Sequence, residues 1–196
     1  DLVGAKPFLS VSRNYPYNEN YTHVLGYVSE PSEKDILNNA SIKQNHVPGL
    51  KIGKTGLEKT FENELIGTNG IQRYEVNAYG KRVKQIDYKE GDHGNLIQLT
   101  IDTEIQKFCN ELLNDVAGSI SVLDMYTGEI IAMQSSPSFD PNLFLFGINQ
   151  DDWQLIRNNP LKPLVNKTLS GLYSPGSTYK PMVAFSALEN GIIDCL

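Results

Sequence analysis

The sequence predicts an α+β protein in two parts: short helices around one long β-hairpin, then a strand, helix and hairpin that lead to an apolar helix. Three observations carry this. Between Gly70 and Glu90, Ile71, Arg73, Glu75 and Asn77 alternate with Gln72, Tyr74, Val76 and Ala78, Tyr79-Gly80-Lys81 turns the chain, and Val83 to Tyr88 returns. At Glu90-Gly91-Asp92-His93-Gly94-Asn95 the chain becomes polar and glycine-rich, which sets a boundary that divides it into residues 1–92 and 93–196. After Ser174-Pro175-Gly176, the residues Met182, Val183, Phe185, Ala187 and Leu188 recur at helical spacing.

Composition narrows the function classes. The 196 residues are 40% hydrophobic and 20% charged, which is ordinary for globular protein. A formal net charge of -6 without a basic stripe argues against nucleic acid, because phosphate binding needs clustered Lys and Arg. The apolar runs fall short of the roughly 20 residues of a membrane helix, so a membrane anchor is expected outside this chain. His23, His46 and His93 are scattered and lack neighbours at ligand spacing, which argues against a metal site. Of the two cysteines, Cys109 falls with Ile105, Phe108, Leu112, Leu113 and Val116 on one helical face, where packing explains it better than a disulfide, and Cys195 stands near the end.

Taken in order, Phe8 to Val11 is a short apolar run, Arg13 to Tyr17 a turn, and Thr22 to Val28 alternates as a strand does. Ser32 caps a helix to Asn39, Pro48-Gly49 turns, and the second half of Gly53–Leu65 is a helix that packs Leu57, Phe61 and Leu65. Past the boundary, Leu96 to Asp102 reads as a strand feeding an amphipathic helix over Thr103–Val116, with Asp102 or Thr103 as its cap. Gly118 to Asp124 and Glu129 to Gln134 then form a second hairpin, whose continuous apolar character suits a covered sheet.

Candidate chemistry concentrates in Ser174-Pro175-Gly176-Ser177-Thr178-Tyr179-Lys180. Ser177 and Lys180 are three residues apart, so on a helix their Cβ atoms lie about 5–6 Å from one another on one face. A serine hydroxyl becomes a nucleophile when a neighbour removes its proton, and a lysine serves only where its surroundings hold it neutral. A helix N-terminus disfavours an ammonium and offers free N–H groups to a developing oxyanion. Pro181 is tolerated in a first turn, where its missing N–H has no partner to lose. Taken alone, Ser-x-x-Lys recurs by chance about once in a chain of this length, and an N-cap serine beside a solvated lysine is the ordinary explanation. A second match, Gly49-Leu50-Lys51-Ile52-Gly53-Lys54-Thr55, approaches a phosphate-binding loop but is one residue short between the glycines and lacks a strong strand before it.

The flanks distinguish these readings. Pro163-Leu164-Val165-Asn166-Lys167, with Gly171 through Lys180, resembles the active-serine segment of the penicillin-binding proteins. Ala117–Asp124, Thr127–Met133 and Pro137–Asn142 resemble the start of that family's transpeptidase domain. Arg13-x-Tyr15-Pro16 with His23–Val28 resembles the N-terminal non-catalytic domain of the class B members, and Gly53, Gly56, Leu57 and Glu58 match its structural Gly-x-x-Gly-Leu-Glu segment. Arg73–Val83 is closer to the elongation-type members than to the division-type ones. Lys54-Thr55-Gly56 and Ser12-Arg13-Asn14 imitate the family's Lys-Thr-Gly and Ser-x-Asn motifs, but they precede the serine and so stand in the wrong chain order. Tyr179 departs from the usual phenylalanine, and its hydroxyl needs a partner if buried.

The resemblance implies a peptidoglycan D,D-transpeptidase. Ser177 and Lys180 would be its catalytic residues, stem peptides ending in D-Ala-D-Ala its substrate and β-lactams its inhibitors, with no cofactor. It further implies partners in the membrane elongation complex, and a place at the periplasmic face of the bacterial inner membrane. The later Ser-x-Asn and Lys-Thr-Gly motifs do not follow Ser177, so the chain is expected to be an incomplete transpeptidase fold, inactive alone and without full cover beyond about Asp140. Two other classes remain: a non-catalytic module that docks elongation partners, and a β-lactam sensor domain.

Overall fold

The computed structural model describes residues 12–38, 42–43, 49–114 and 116–194. A 3-10 turn, Asn18–Asn20, feeds helix α1 (Thr22–Leu25), which ends at Gly26. The alternation over Thr22–Val28 predicts a strand there, and only Val28–Ser29 (β1) is one, paired antiparallel with β2 (Ile52–Gly53). The helical turn wins because it buries Thr22 and Val24 together, while Leu25 N–H and Gly26 N–H donate back to the carbonyls of Tyr21 and Thr22 at 2.8 and 2.7 Å. Periodicity over so few residues cannot separate the two outcomes.

Helix α2 (Glu33–Asn38) is capped as its sequence suggests: Ser32 Oγ accepts from Asp35 N–H, and Asp35 Oδ2 accepts from Ser32 N–H. This is a capping box with aspartate in the reciprocal position. Asn39, Pro48 and the apolar run Phe8–Val11 lie outside the described residues. Helices α3 (Gly56–Thr60) and α4 (Glu62–Leu65) break at Phe61, whose ψ is 27°, and half-bury Leu57, Phe61 and Leu65 as predicted. The hairpin of β3 (Ile71–Val76) and β4 (Arg82–Lys89) closes through Asn77, whose Oδ1 accepts from the N–H groups of Tyr79 and Lys81. Its β4 strand is exposed along its whole length.

In the second half, Leu96 to Asp102 is not a strand. Asp102 N–H donates to Ile131 C=O and Thr100 Oγ1 donates to Ile130 C=O, after which the chain turns into helix α5 (Thr103–Leu113). Asp102 settles the cap, its carboxylate accepting from the N–H groups of Glu104 and Ile105. Strands β5 (Gly118–Leu123) and β6 (Ile130–Ser136) form the second hairpin. Along β6 beyond the bonds from Thr100 and Asp102, the Gln106 side chain serves the strand backbone, accepting from Met133 N–H and donating to Met133 C=O, Gln134 Oε1 and Asn20 C=O. This decides which face of α5 is buried. Gln106 and Cys109 point inward, while Ile105, Phe108, Leu112 and Val116, expected to share the cysteine's packed face, are exposed.

After β6 come a 3-10 turn at Pro141–Phe144, α6 (Gln150–Asn158), α7 (Lys167–Ser170), a second 3-10 turn at Gly176–Tyr179 and α8 (Lys180–Glu189). The core forms between the two halves of the sequence. Tyr15, Val28 and Leu145 are buried together, and Phe144 stacks against Tyr27 at 4.3 Å and meets Phe139 and Trp153 edge-on. Burial of such rings dominates small cores. The expectation of poor cover beyond Asp140 is therefore wrong for Pro141, Phe144, Leu145 and Lys167, all buried, while none of the described residues from Gly176 onward is buried.

Candidate functional site

Gly176, at φ +55°, turns the chain after Pro175 into a conformation that L side chains rarely adopt, and the 3-10 turn starts there. Thr178 holds the turn shut, its N–H and Oγ1 both donating to Pro175 C=O. Lys180 N–H donates to Ser177 C=O, so the backbone ties the serine to the lysine three residues on. In a 3-10 turn, residues i and i+3 eclipse along the axis, which stacks these two side chains more directly than an α-turn would. Helix α8 begins at Lys180 with Pro181 in its first turn. No hydrogen bond among the described residues engages the Ser177 N–H, which leaves that donor open.

Ser177 and Lys180 are exposed, as are Tyr179, Met182, Val183 and Phe185 around them. The Tyr179 hydroxyl therefore needs no protein partner here. Six residues upstream of the serine turn, α7 supplies the anchor. Asn166 caps α7, its Oδ1 accepting from Thr168 N–H, while its Nδ2 donates across the molecule to His23 C=O at 3.0 Å. Lys167 N–H donates to Ser135 Oγ, which in turn donates to Val165 C=O. The Lys167 ammonium is folded inward onto Lys162 C=O at 3.1 Å, and burial lowers its pKa.

His23 sits between these parts with its imidazole edge-on to Phe139 and its Nε2 buried without a hydrogen-bond partner among the described residues. Burial, helped by the nearby Lys167 charge and opposed by the carbonyls of Pro163 and Pro137, takes its pKa from 6.5 down to about 4. The fold thus holds a neutral imidazole that the unfolded chain would protonate. The stability that this group contributes is expected to be fully present above pH 6.5 and lost as the pH falls through 6.5 toward 4, by up to about 3 kcal/mol. Denaturant midpoints measured from pH 7 to pH 4 should show this slope, and His23→Gln should flatten it; an unchanged slope would assign the acid sensitivity elsewhere.

The two motif imitations are occupied structurally. Lys54 Nζ pairs with Asp35 at 2.5 Å, Thr55 sits at the N-cap position of α3, and Gly56 packs on the backbone of Leu25 and Gly26. Beside Ser12 and Asn14, Arg13 pairs with Glu58, whose other oxygen accepts from the buried Tyr15 hydroxyl at 3.2 Å. Burial and the neighbouring Glu58 raise the Tyr15 phenol well above its usual pKa. The sequence shows Asn166 and Lys167 only as parts of a longer match, and His23 only within His23–Val28 and as a histidine without metal-ligand spacing. The one local signal was Asn166-x-Thr168 before a short helix, which marks a cap but not what lies across from it.

Residues 1–99 match the family model of the penicillin-binding protein dimerisation domain, and residues 118–195 match that of the penicillin binding protein transpeptidase domain. The peptidoglycan D,D-transpeptidase MrdA of Escherichia coli K12 is 41% identical over 183 residues, covering 92% of this chain and 29% of the relative. Penicillin-binding protein 3 of Bacillus subtilis is 35% identical over 185 residues, covering 93% of this chain and 26% of its own length. Among solved structures, Helicobacter pylori PBP2 in its complex with MreC aligns with a TM-score of 0.78 at 34% identity, over 93% of this chain and 34% of that one. Pseudomonas aeruginosa PBP2 in complex with WCK 5153 aligns with a TM-score of 0.78 at 34% identity, over 96% of this chain and 37% of that one. The chain spans less than a third of the length of the curated relatives it matches.

Proposed function

The chain belongs to the penicillin-binding protein family, as a class B protein of the PBP2 type, and on that premise we propose that the whole protein is a peptidoglycan D,D-transpeptidase of cell-wall elongation. In this reading residues 1–92 form the non-catalytic part and residues 93–196 open the transpeptidase domain. The observation that carries the assignment is the 3-10 turn in which Lys180 N–H meets Ser177 C=O, inside the segment that matches the transpeptidase model.

Ser177 Oγ attacks the carbonyl carbon of the D-Ala-D-Ala amide while the Lys180 amine takes the hydroxyl proton. The open Ser177 N–H donates to the oxyanion of the tetrahedral intermediate. Collapse breaks the C–N bond, Lys180 returns its proton to the departing D-alanine amine, and the stem peptide remains as an ester on Ser177. An amine of a second stem peptide then attacks that ester, forming the cross-link and restoring the serine. A β-lactam enters by the same attack, and opening of its ring leaves it bound to Ser177.

The N-terminal part docks proteins of the elongation machinery in this reading, a view supported by the H. pylori relative's structure in complex with MreC. The protein works at the periplasmic face of the inner membrane. Among the described residues no helix is long and apolar enough to cross a membrane.

Covalent labelling tests the assignment. In the whole protein, a fluorescent penicillin should attach to the peptide containing Ser177, and Ser177→Ala should abolish the label. Labelling of the alanine variant at the parent's rate would rule out Ser177 as the nucleophile.

A further inference from the structure

The four residues Asn20 to His23 make four separate polar contacts with the second half of the chain. Asn20 C=O accepts from Gln106 Nε2 at 2.7 Å, Tyr21 O–H donates to Thr103 Oγ1 at 2.9 Å, and Thr22 Oγ1 donates to Phe139 C=O at 2.6 Å. His23 C=O accepts from Asn166 Nδ2 at 3.0 Å. The first two bonds reach α5 and the third the loop after β6, neither of which leads directly into the serine turn. The fourth reaches the cap of α7, whose last residue, Ser170, is followed by Gly171 through Pro175 and then by the serine turn.

We propose that Asn166 is a positioning residue for Ser177: its carboxamide caps α7 with one atom and fastens α7 to the N-terminal half with the other, setting where the following loop delivers the nucleophile. The carboxamide suits both tasks because it is an acceptor at Oδ1 and a donor at Nδ2. Its oxygen takes the Thr168 N–H and hydroxyl, and its nitrogen reaches the His23 carbonyl. The neighbouring clamp, Lys167 N–H to Ser135 Oγ at 3.0 Å, fixes the same end of α7 to β6. Two supports from different elements hold a four-residue helix that has little stability of its own. Downstream, helix α8 buries none of its residues, so the direction in which α7 is held is the main constraint on the serine turn among the described residues. Displacing a reacting group by about 1 Å costs on the order of a hundredfold in rate.

This inference rests on the transpeptidase reading, and the experiment separates the two. The whole protein and its Asn166→Asp and Asn166→Ser variants are titrated with a fluorescent penicillin, and the limiting acylation rate is resolved from the non-covalent dissociation constant. Melting curves run alongside. Aspartate and serine are both good N-caps, so α7 and the melting temperature should be retained, but an ionised aspartate has no donor for His23 C=O and the serine hydroxyl is one bond shorter than the amide. The expected result is a limiting rate slowed about tenfold to a hundredfold with the dissociation constant within about threefold. Wild-type rates per folded molecule in both variants would overturn the positioning role. So would failure of both variants to fold, which would make Asn166 a fold determinant instead. A wild-type protein that gains no adduct on Ser177 would overturn the transpeptidase reading, and the inference with it.

Discussion

Lys180→Ala in the whole protein is expected to slow acylation of Ser177 by a β-lactam about 10²- to 10⁴-fold while leaving the melting temperature nearly unchanged. The stability half follows from exposure: Lys180 makes no ion pair or side-chain hydrogen bond among the described residues, and exposed substitutions usually cost less than about 0.5 kcal/mol. Its backbone N–H, which holds the 3-10 turn to Ser177 C=O, survives the substitution, and alanine is at home at the start of α8. Only the amine is removed. The rate should therefore fall without loss of turn geometry, and Lys180→Arg should not restore it, because a guanidinium stays protonated and cannot take a proton. Stopped-flow acylation of the three proteins is the measurement. A loss below about threefold would move the base to another residue, and the lysine would become a solvated neighbour of a capping serine.

Gly26→Ala is expected to destabilise the fold by at least about 3 kcal/mol. Gly26 has φ +81° and ψ -155°, a region reserved for glycine, and a Cβ built there would stand 1.9 Å from the carbonyl oxygen of Thr55. Thr55 immediately precedes Gly56, whose own Cβ would meet Gly26 N at 2.6 Å. The end of α1 and the start of α3 thus cross at two glycines, backbone on backbone. Neither obstacle is a flexible side chain, so relief would require separating β1 from β2, beside which both turns lie. Urea denaturation of the variant would show the loss. A change below about 1 kcal/mol would mean that the Thr55 backbone gives way easily.

Much of the architecture is legible from local chemistry. The β3–β4 hairpin follows from alternation around Tyr79-Gly80-Lys81, and the caps at Ser32 and Asp102 follow from residues whose short oxygens suit an N-terminus. The serine turn was legible for the same reason, since Pro175-Gly176 determines the backbone and three-residue spacing determines which side chains share a face. In each case the deciding interaction lies within a few residues of the chain.

What the tertiary structure alone decided is set by residues far apart. Thr22 to Leu25 is a helical turn because Thr22 reaches Phe139 and its neighbours face the second half of the chain. The buried face of α5 is that of Gln106 and Cys109 because β6 presents an unpaired Met133 backbone that a carboxamide can satisfy, which outweighs the apolar stripe read from periodicity. The link from His23 to Asn166 spans 143 positions in sequence. The sequence determined the spacing of Ser177 and Lys180 and the turn that joins them. Where that turn is aimed was decided by the fold, because a hydrogen bond across so long a separation leaves no periodic trace in either segment it joins.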